Sequence, residues 1–170
     1  VLIDGQGQPF SDGAFGWIPR SIEGEQISYA VGDASNAYSG IVDGKEIDHG
    51  MKLFRRHYLM LRPSIIIIYD ELEADHAAEW RWLLHNYNGF SLDAKTQTVF
   101  AENETAKAQV SIISSSDIHL NITDQFSVPV DNWTNKINED GDTLSFVNHW
   151  HLNAASKQKT EKNLKKLALV

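Results

Sequence analysis

The segment KLFRRHYLMLR, residues 52–62, gathers the densest set of side chains able to bind or move charge: Lys52, Arg55, Arg56, His57 and Arg62. If it is a strand, alternation puts Arg55 and His57 on one face and Arg56 and Tyr58 on the other, together with Phe54 and Met60. A guanidinium beside a phenol on an otherwise apolar face suits a sugar carrying a carboxylate or sulfate. The Arg fork donates to two oxygens at once, and the Tyr supplies a hydroxyl or an acid. The same pattern fits a structural reading in which Arg56 is buried and paired with an acid such as Asp70.

Further along, HWH places His149 and His151 two residues apart, a spacing that can chelate zinc from one face of a strand. Two imidazoles do not make a site. A third ligand would have to come from His49, His57, His76, His85, His119 or a carboxylate; without one, these are solvated strand histidines. His85, closing EWRWLLH, is a candidate substrate contact or else a hydrogen-bonded histidine of the core or rim. Trp17, Trp133 and Trp150 fall in or near loops and strand ends, where an indole face can stack on a pyranose ring or fill core. The candidate substrate contacts are therefore Arg56, Trp17, Trp133 and His85, and no catalytic residue or metal ligand is assigned. No phosphate-cradling glycine loop, nucleophile elbow or aspartate-rich calcium loop occurs.

The elements that must position these groups are strands. Apolar residues recur at period two in short runs closed by Gly, Asn, Asp or Pro, which predicts an antiparallel all-β protein with few or no helices. Strands are expected at 1–4, 27–32, 51–62, 65–72, 79–87, 90–93, 97–102, 107–114, 118–123, 143–153 and 164–170, with a tight turn at Pro63-Ser64. That number of strands, with neither a repeat nor a linker composition, predicts one domain over residues 1–170 in which two sheets pack face to face as a β-sandwich. Residues 65–68, four isoleucines, have no polar face and are expected in mid-sheet, covered on both sides. In EWRWLLH, Trp80, Trp82 and Leu84 should face the core while Glu79, Arg81, Leu83 and His85 face away, with a Glu79–Arg81 ion pair.

A chain of 170 residues can bury about 70% of its unfolded surface, and five Trp, five Tyr and seven Phe furnish the core. The formal charge is −8, which argues against general nucleic-acid binding. Residues 1–48 hold eight acids against Arg20 and Lys45, whereas residues 157–166 hold five Lys against Glu161, a stretch read as a solvated edge. The absence of Cys excludes disulfides and thiolate metal sites, and no apolar run approaches the roughly 20 residues of a membrane-spanning helix.

Taken in order, VLIDGQGQ, YAVGDASNAY, RRHYLMLRPSIIIIYDELEADHAAEWRWLLH and FVNHWHLNAAS…LALV resemble the C-terminal β-sandwich of the heparinase II/III-like polysaccharide lyases. The likeness spans most of the chain and is least distinctive over residues 88–140. It implies a piece of a longer secreted or periplasmic enzyme in which an N-terminal α/α toroid accompanies the sandwich, and in which an anionic, uronate-containing polysaccharide is cleaved by β-elimination. That reaction needs a base, groups that neutralise the uronate carboxylate, and an acid for the leaving oxygen. By the same resemblance, the family's catalytic His and zinc-binding His-x-His lie upstream of Val1, and HWH at 149–151 comes too late to replace them. The resemblance therefore implies a chain without a cofactor of its own, inactive alone, that carries over in structural roles Gly5 in the turn after the first strand, Arg56 before the long hairpin and Asp70 at the end of the buried strand. The alternatives are a non-catalytic carbohydrate-binding sandwich using Trp17, Trp133 and Arg56, or a structural module buttressing a neighbour through an exposed apolar sheet face.

Overall fold

A computed structural model describes residues 1–125, 140–142 and 149–159 and the course of the strand Lys165–Leu169. Among these residues the regular structure is β1 (Leu2–Ile3), β2 (Trp17–Glu23), β3 (Ile27–Asp33), a 3₁₀ turn (Ser35–Tyr38), β4 (Ser39–Val42), β5 (Lys45–Asp48), β6 (Met51–Leu61) and β7 (Ile65–Ala74). There follow β8 (Trp80–Asn86), β9 (Phe90–Asp93), β10 (Thr98–Asn103), β11 (Ala106–Ser114), β12 (Ile118–Thr123), β13 (Trp150–Ser156) and β14 (Lys165–Leu169). All the pairings are antiparallel. One sheet has the order β2-β3-β6-β7-β14-β11-β10-β9, a second β1-β8-β13-β12, and β4-β5 forms a separate hairpin. The all-β sandwich predicted from period-two patterning is the fold.

The sheets enclose two adjoining clusters. Ile3, Ala37, Tyr38, Phe54, Leu72, Ala74, Ala78 and Trp80 form the first. Trp82, Val99, Ile112, Ile118, Leu152 and Ala154 form the second. Complete burial of a side chain such as Leu152 or Val99, both 0% exposed, stabilises by about 1.5–3 kcal/mol. Trp80 and Trp82 face inward as alternation required, and Glu79 and Arg81 form the expected ion pair.

Four expectations change. The strand β2 lies where no strand was anticipated, because all seven of its residues are exposed and it shows no alternating burial. The isoleucines of residues 65–68 do sit in a mid-sheet strand, but Ile65 is 49% and Ile66 53% exposed, so apolar composition did not mean cover on both faces. The lysine-rich tail does not end in a solvated edge: β14 is threaded between β7 and β11. Asp70 stands in the middle of β7, not at its end, since that strand continues to Ala74. Residues 143–148 of the strand expected over 143–153 lie outside the described residues, and β13 begins at Trp150.

The first strand turns back through Asp4 and Gly5, whose φ values of 48° and 78° are both positive. Ile3 and Gln6 exchange both backbone hydrogen bonds, at 3.0 and 2.8 Å. Two central residues with positive φ make the turn that matches strand twist, and Gly5 takes this conformation without a Cβ penalty. The turn is tied down by His76, whose Nε2 lies 2.7 Å from Asp4 Oδ2 and whose Nδ1 lies 2.6 Å from Asp75 Oδ1. Lys159 Nζ adds a contact of 3.0 Å to Asp4 Oδ1. Asp75 and Asp4 together raise the pKa of His76. Asp4 itself is held at about 2: burial alone would raise it, but hydrogen bonds from His76, the Glu79 amide and Lys159 outweigh that.

A group whose pKa is raised on folding stabilises fully below its unfolded value, about 6.5 for His, and stops doing so as pH rises through the folded value. The stability difference between the native chain and His76→Gln should therefore be largest near pH 6, below about 1 kcal/mol for so exposed a clip, and shrink as the pH is raised. Urea unfolding across that range measures it; a difference independent of pH would show that the ring acts by packing.

Candidate functional site

Register decides which side chains meet. In antiparallel pairs directly opposed residues share a face, and across β2, β3, β6 and β7 this aligns Trp17, Asp33, Arg55 and Glu71. The next row is Arg20, Val31, His57 and Tyr69, and the next Ile22, Tyr29, Leu59 and Ile67. A register shift in β2 between Trp17 and Arg20 keeps both on this face. Phe54, Arg56, Asp70 and Leu72 occupy the other face, toward the first core cluster. The rows of Arg55 and His57 thus lie on the outer surface of the eight-stranded sheet.

There the polar groups are linked. The Arg55 Nε donates to Asp33 Oδ2 at 3.0 Å, while the hydroxyl and amide of Ser35 donate to Asp33 Oδ1 at 2.7 and 3.1 Å. Burial pushes the Asp33 carboxyl up, but the Ser35 hydrogen bonds and Arg55 more than compensate, and it stays below the usual carboxylate range. Tyr29 OH lies 2.7 Å from His57 Nδ1, and His57 Nε2 lies 3.4 Å from Glu71 Oε2. Tyr69 packs on the same imidazole with ring centres 5.5 Å apart. If His57 carries its proton toward Glu71, its Nδ1 accepts from the Tyr29 phenol, a tautomer inferred from the partners. At one end of the face Trp17 is 44% exposed, with its ring centre 5.8 Å from that of Phe15. The Arg55 side chain is 49% exposed. A flat aromatic surface, a half-exposed guanidinium and a phenol–imidazole–carboxylate chain are what a carboxylated sugar needs for stacking, charge neutralisation and hydrogen bonding.

The four residues singled out in the sequence are not brought together. Arg56 faces inward: its Nε and one terminal nitrogen donate to Asp70 at 2.7 and 2.6 Å, and its Cζ sits 5.3 Å from the Phe54 ring centre. Burial opposes its charge, but Asp70 overrides this and raises its pKa. The structural reading of Arg56 is the one realised. Neighbouring Tyr38 is pushed up to about 12, mainly by burial. Trp17 lies on the outer surface just described. His85 lies on the opposite outer surface, that of the four-stranded sheet, and Trp133 falls outside the described residues.

His85 stands directly across from His151 with ring centres 5.9 Å apart. Burial lowers the pKa of both; His151 and His149 lower His85 further, whereas Asp124 partly opposes the shift of His151. His149 does not share the strand with His151 as expected, because β13 starts between them at Trp150; it packs against Tyr87 at 5.4 Å between ring centres. Among the described residues no three His, Cys, Asp or Glu side chains are placed to hold a metal ion together.

Tyr29, Asp33, Arg55, His57 and Glu71 were not singled out as site residues. Alternation had already separated Arg55 and His57 from Arg56. What single-strand patterning lacked was the pairing of β3 with β6, which delivers Tyr29 and Asp33 from across the sheet.

No family model matches this sequence, and no curated protein matches it. Solved structures do. A heparinase III gene product superposes with a TM-score of 0.59 at 8% identity, covering 91% of this chain and 20% of that one. A second heparinase III structure gives 0.59 at 10% identity, with 91% and 20% covered. A mutant of the heparan sulfate lyase HepC from Pedobacter heparinus gives 0.58 at 9% identity, with 91% and 21% covered. At such identities the likeness is one of fold: this chain has the fold of a β-sandwich region found in heparinase III structures, and it spans about a fifth of their length.

Breaking the buried pair by Asp70→Asn or Arg56→Met should cost about 3–5 kcal/mol, because the remaining partner is left charged or unpaired in the core. Arg55→Met should cost about 1 kcal/mol or less, since that guanidinium is half in solvent. Denaturant unfolding of the three variants checks the contrast; equal losses would refute the assignment of Arg56 to structure and Arg55 to the surface.

Proposed function

We propose that this chain is the C-terminal β-sandwich of a heparinase-type polysaccharide lyase that cleaves a uronate-containing polymer by β-elimination. In this reading residues 1–170 form one domain of a longer secreted or periplasmic protein whose N-terminal α/α toroid supplies the proton-moving groups and any zinc site. The sandwich contributes a binding surface, and alone it is inactive. The observation that carries the proposal is the fold match to heparinase III structures over 91% of the chain at a TM-score of 0.59. It is supported by the order of the sequence motifs, which resemble the same family independently of structure. Within the sandwich, the outer surface bearing Trp17, Arg55 and His57 takes the place first given to Arg56 and His85, since Arg56 is spent on Asp70.

A second reading, a carbohydrate-binding module that works without the toroid, is favoured by one observation: exposed Trp17, with the Phe15 ring beside it, stands in the same row as Arg55.

The test is affinity electrophoresis of the 170-residue chain through gels containing heparan sulfate, alginate or neutral dextran, paired with an ultraviolet assay for unsaturated uronate products. Retardation is expected in the anionic gels only, weakening with salt. Trp17→Ala and Arg55→Ala should each weaken it about tenfold, equivalent to about 1.4 kcal/mol. Eliminase activity of the isolated chain at the rate of an intact lyase would overturn the division of labour. Equal mobility in all gels would remove the binding surface, and retardation in dextran alone would favour the module.

A further inference from the structure

Alongside Trp17, the loop of residues 8–16 and the strand β4 enclose a groove of about 780 Å³. All of its lining falls within residues 8–43, a continuous stretch of the described chain. Phe10 and Phe15 line it from the loop, Ile41 and Val42 from β4, and buried Ala37 from the 3₁₀ turn. The groove is held open by specific contacts. The Ser11 Oγ accepts from the Gly13 amide at 3.2 Å and from the Ile41 amide at 2.9 Å, which fastens the loop to β4. Gly40 permits that approach, since a Cβ there would collide with the Ser11 side chain. At the end of the loop a Cβ on Gly16 would stand 3.0 Å from the Asp33 carbonyl oxygen, so the chain passes tightly against β3.

The chemistry of the groove is one-sided. Its charged lining residues are Asp12 and Asp43, and no Lys, Arg or His joins them. The sequence around it has the same sign, with eight acids against Arg20 and Lys45 over residues 1–48. Phe10 is 84% and Phe15 57% exposed, so aromatic surface is open to a ligand. Aromatic faces and carboxylates both attract an ammonium group, and both disfavour a carboxylate or sulfate. The groove therefore selects the charge opposite to the one suited to Arg55. The two places adjoin: the Phe15 ring centre lies 5.8 Å from that of Trp17, and Trp17 shares a row with Arg55.

We propose that this groove binds an amino sugar whose amine is free and protonated, as a subsite next to the face of Trp17 and Arg55. The apolar side of the pyranose lies on the Phe rings, and the Asp12 and Asp43 carboxylates accept from the ammonium and its neighbouring hydroxyls. The choice of a sugar over another amine rests on the reading of the adjoining face as a carbohydrate surface; the preference for a cation rests on the groove alone. N-acetylation removes the positive charge and N-sulfation reverses it, so either weakens binding. A polymer made only of uronates has no residue that fits here.

The test follows backbone amide shifts of the ¹⁵N-labelled 170-residue chain at pH 6. The probes are tri-glucosamine, its N-acetylated counterpart, a tri-uronate and blocked tri-lysine, which matches the charge of the first without being a sugar. The expected result is saturable shifts with tri-glucosamine at residues 8–16 and 40–43, weakened by salt and at an affinity about tenfold or more above the N-acetylated sugar, equivalent to about 1.4 kcal/mol. Phe10→Ala should weaken tri-glucosamine binding about tenfold, and the double variant Asp12→Asn with Asp43→Asn should lose the preference for the free amine. These positions are exposed, and Asn keeps the left-handed conformation of residue 43, whose φ is 52°, so thermal unfolding of both variants should be unchanged. No shifts, equal binding of the N-acetylated sugar, a preference that survives in the double variant, or equal shifts with tri-lysine would each overturn the proposal. Loss of retardation in the uronate gels with these shifts intact would end the lyase reading and leave the groove standing; retardation without the shifts would do the reverse.

Discussion

The bidentate pair between Arg56 and Asp70 is the constraint on which the rest of the arrangement turns. The two residues are directly opposed on β6 and β7 near the centre of the eight-stranded sheet, and Asp70 is 0% exposed. A buried carboxylate is costly, by several kcal/mol, unless a charge and hydrogen bonds answer it. Here a planar fork supplies both, in a geometry that only one strand register allows. A slip of one residue would send Arg56 outward, bring Arg55 under the core and leave Asp70 alone. The pair adds little net stability by this argument, but it makes one register far better than its neighbours. The Phe54 ring packed beside the guanidinium, and Tyr38 edge-on to Phe54 at 5.9 Å, complete the surroundings that hold the fork in place.

Register then propagates through the sheet. Because β6 is fixed against β7, and β3 against β6, the outward residues fall into rows with no further choice: Asp33 beside Arg55, Val31 beside His57, Tyr29 one step along. The Tyr29–His57–Glu71 chain is a diagonal across three strands, and none of its members is near another in sequence. A surface of this kind is a consequence of core pairing. It follows that substitutions at Arg56 or Asp70 would disturb the outer face without touching it.

Much of the fold was legible because alternation is a local signal. The inward tryptophans of β8, the separation of Arg55 from Arg56, the Glu79–Arg81 pair and the turn at Gly5 need only neighbours in sequence. The strand β2 was invisible because it lies at the sheet's margin with every residue exposed, and Pro19 interrupts it. The β4-β5 hairpin carried a sign that went unused: Asp43-Gly44, both with positive φ, is the same two-residue turn as Asp4-Gly5. The central place of β14 was hidden by its lysines, since composition speaks of solvation and not of strand order. Residues 65–68 misled in the opposite sense: four isoleucines promised cover on both faces, and part of that strand lies open. The candidate site was least legible of all, as it is assembled from β2, β3, β6 and β7 by pairings that no single segment announces.

The adjacent arginines show why a fold match at 8–10% identity leaves chemistry to be argued residue by residue. A sandwich of this shape asks of its sequence an apolar inward face and a consistent register, and very different sequences satisfy both. Of two consecutive guanidiniums, identical in type and one bond apart in the backbone, one is consumed by that requirement and the other is left over. Arg56 answers a buried carboxylate, and its substitution would report on folding. Arg55 answers a carboxylate at the surface through one nitrogen, and half its side chain meets solvent. Of the two, Arg55 is the more open to solvent, so if the sheet meets an anionic ligand as proposed, the outer face is where its guanidinium is available. Trp17, Asp33 and His57 stand around Arg55 on that face because the pairing of β2, β3 and β6 puts them there.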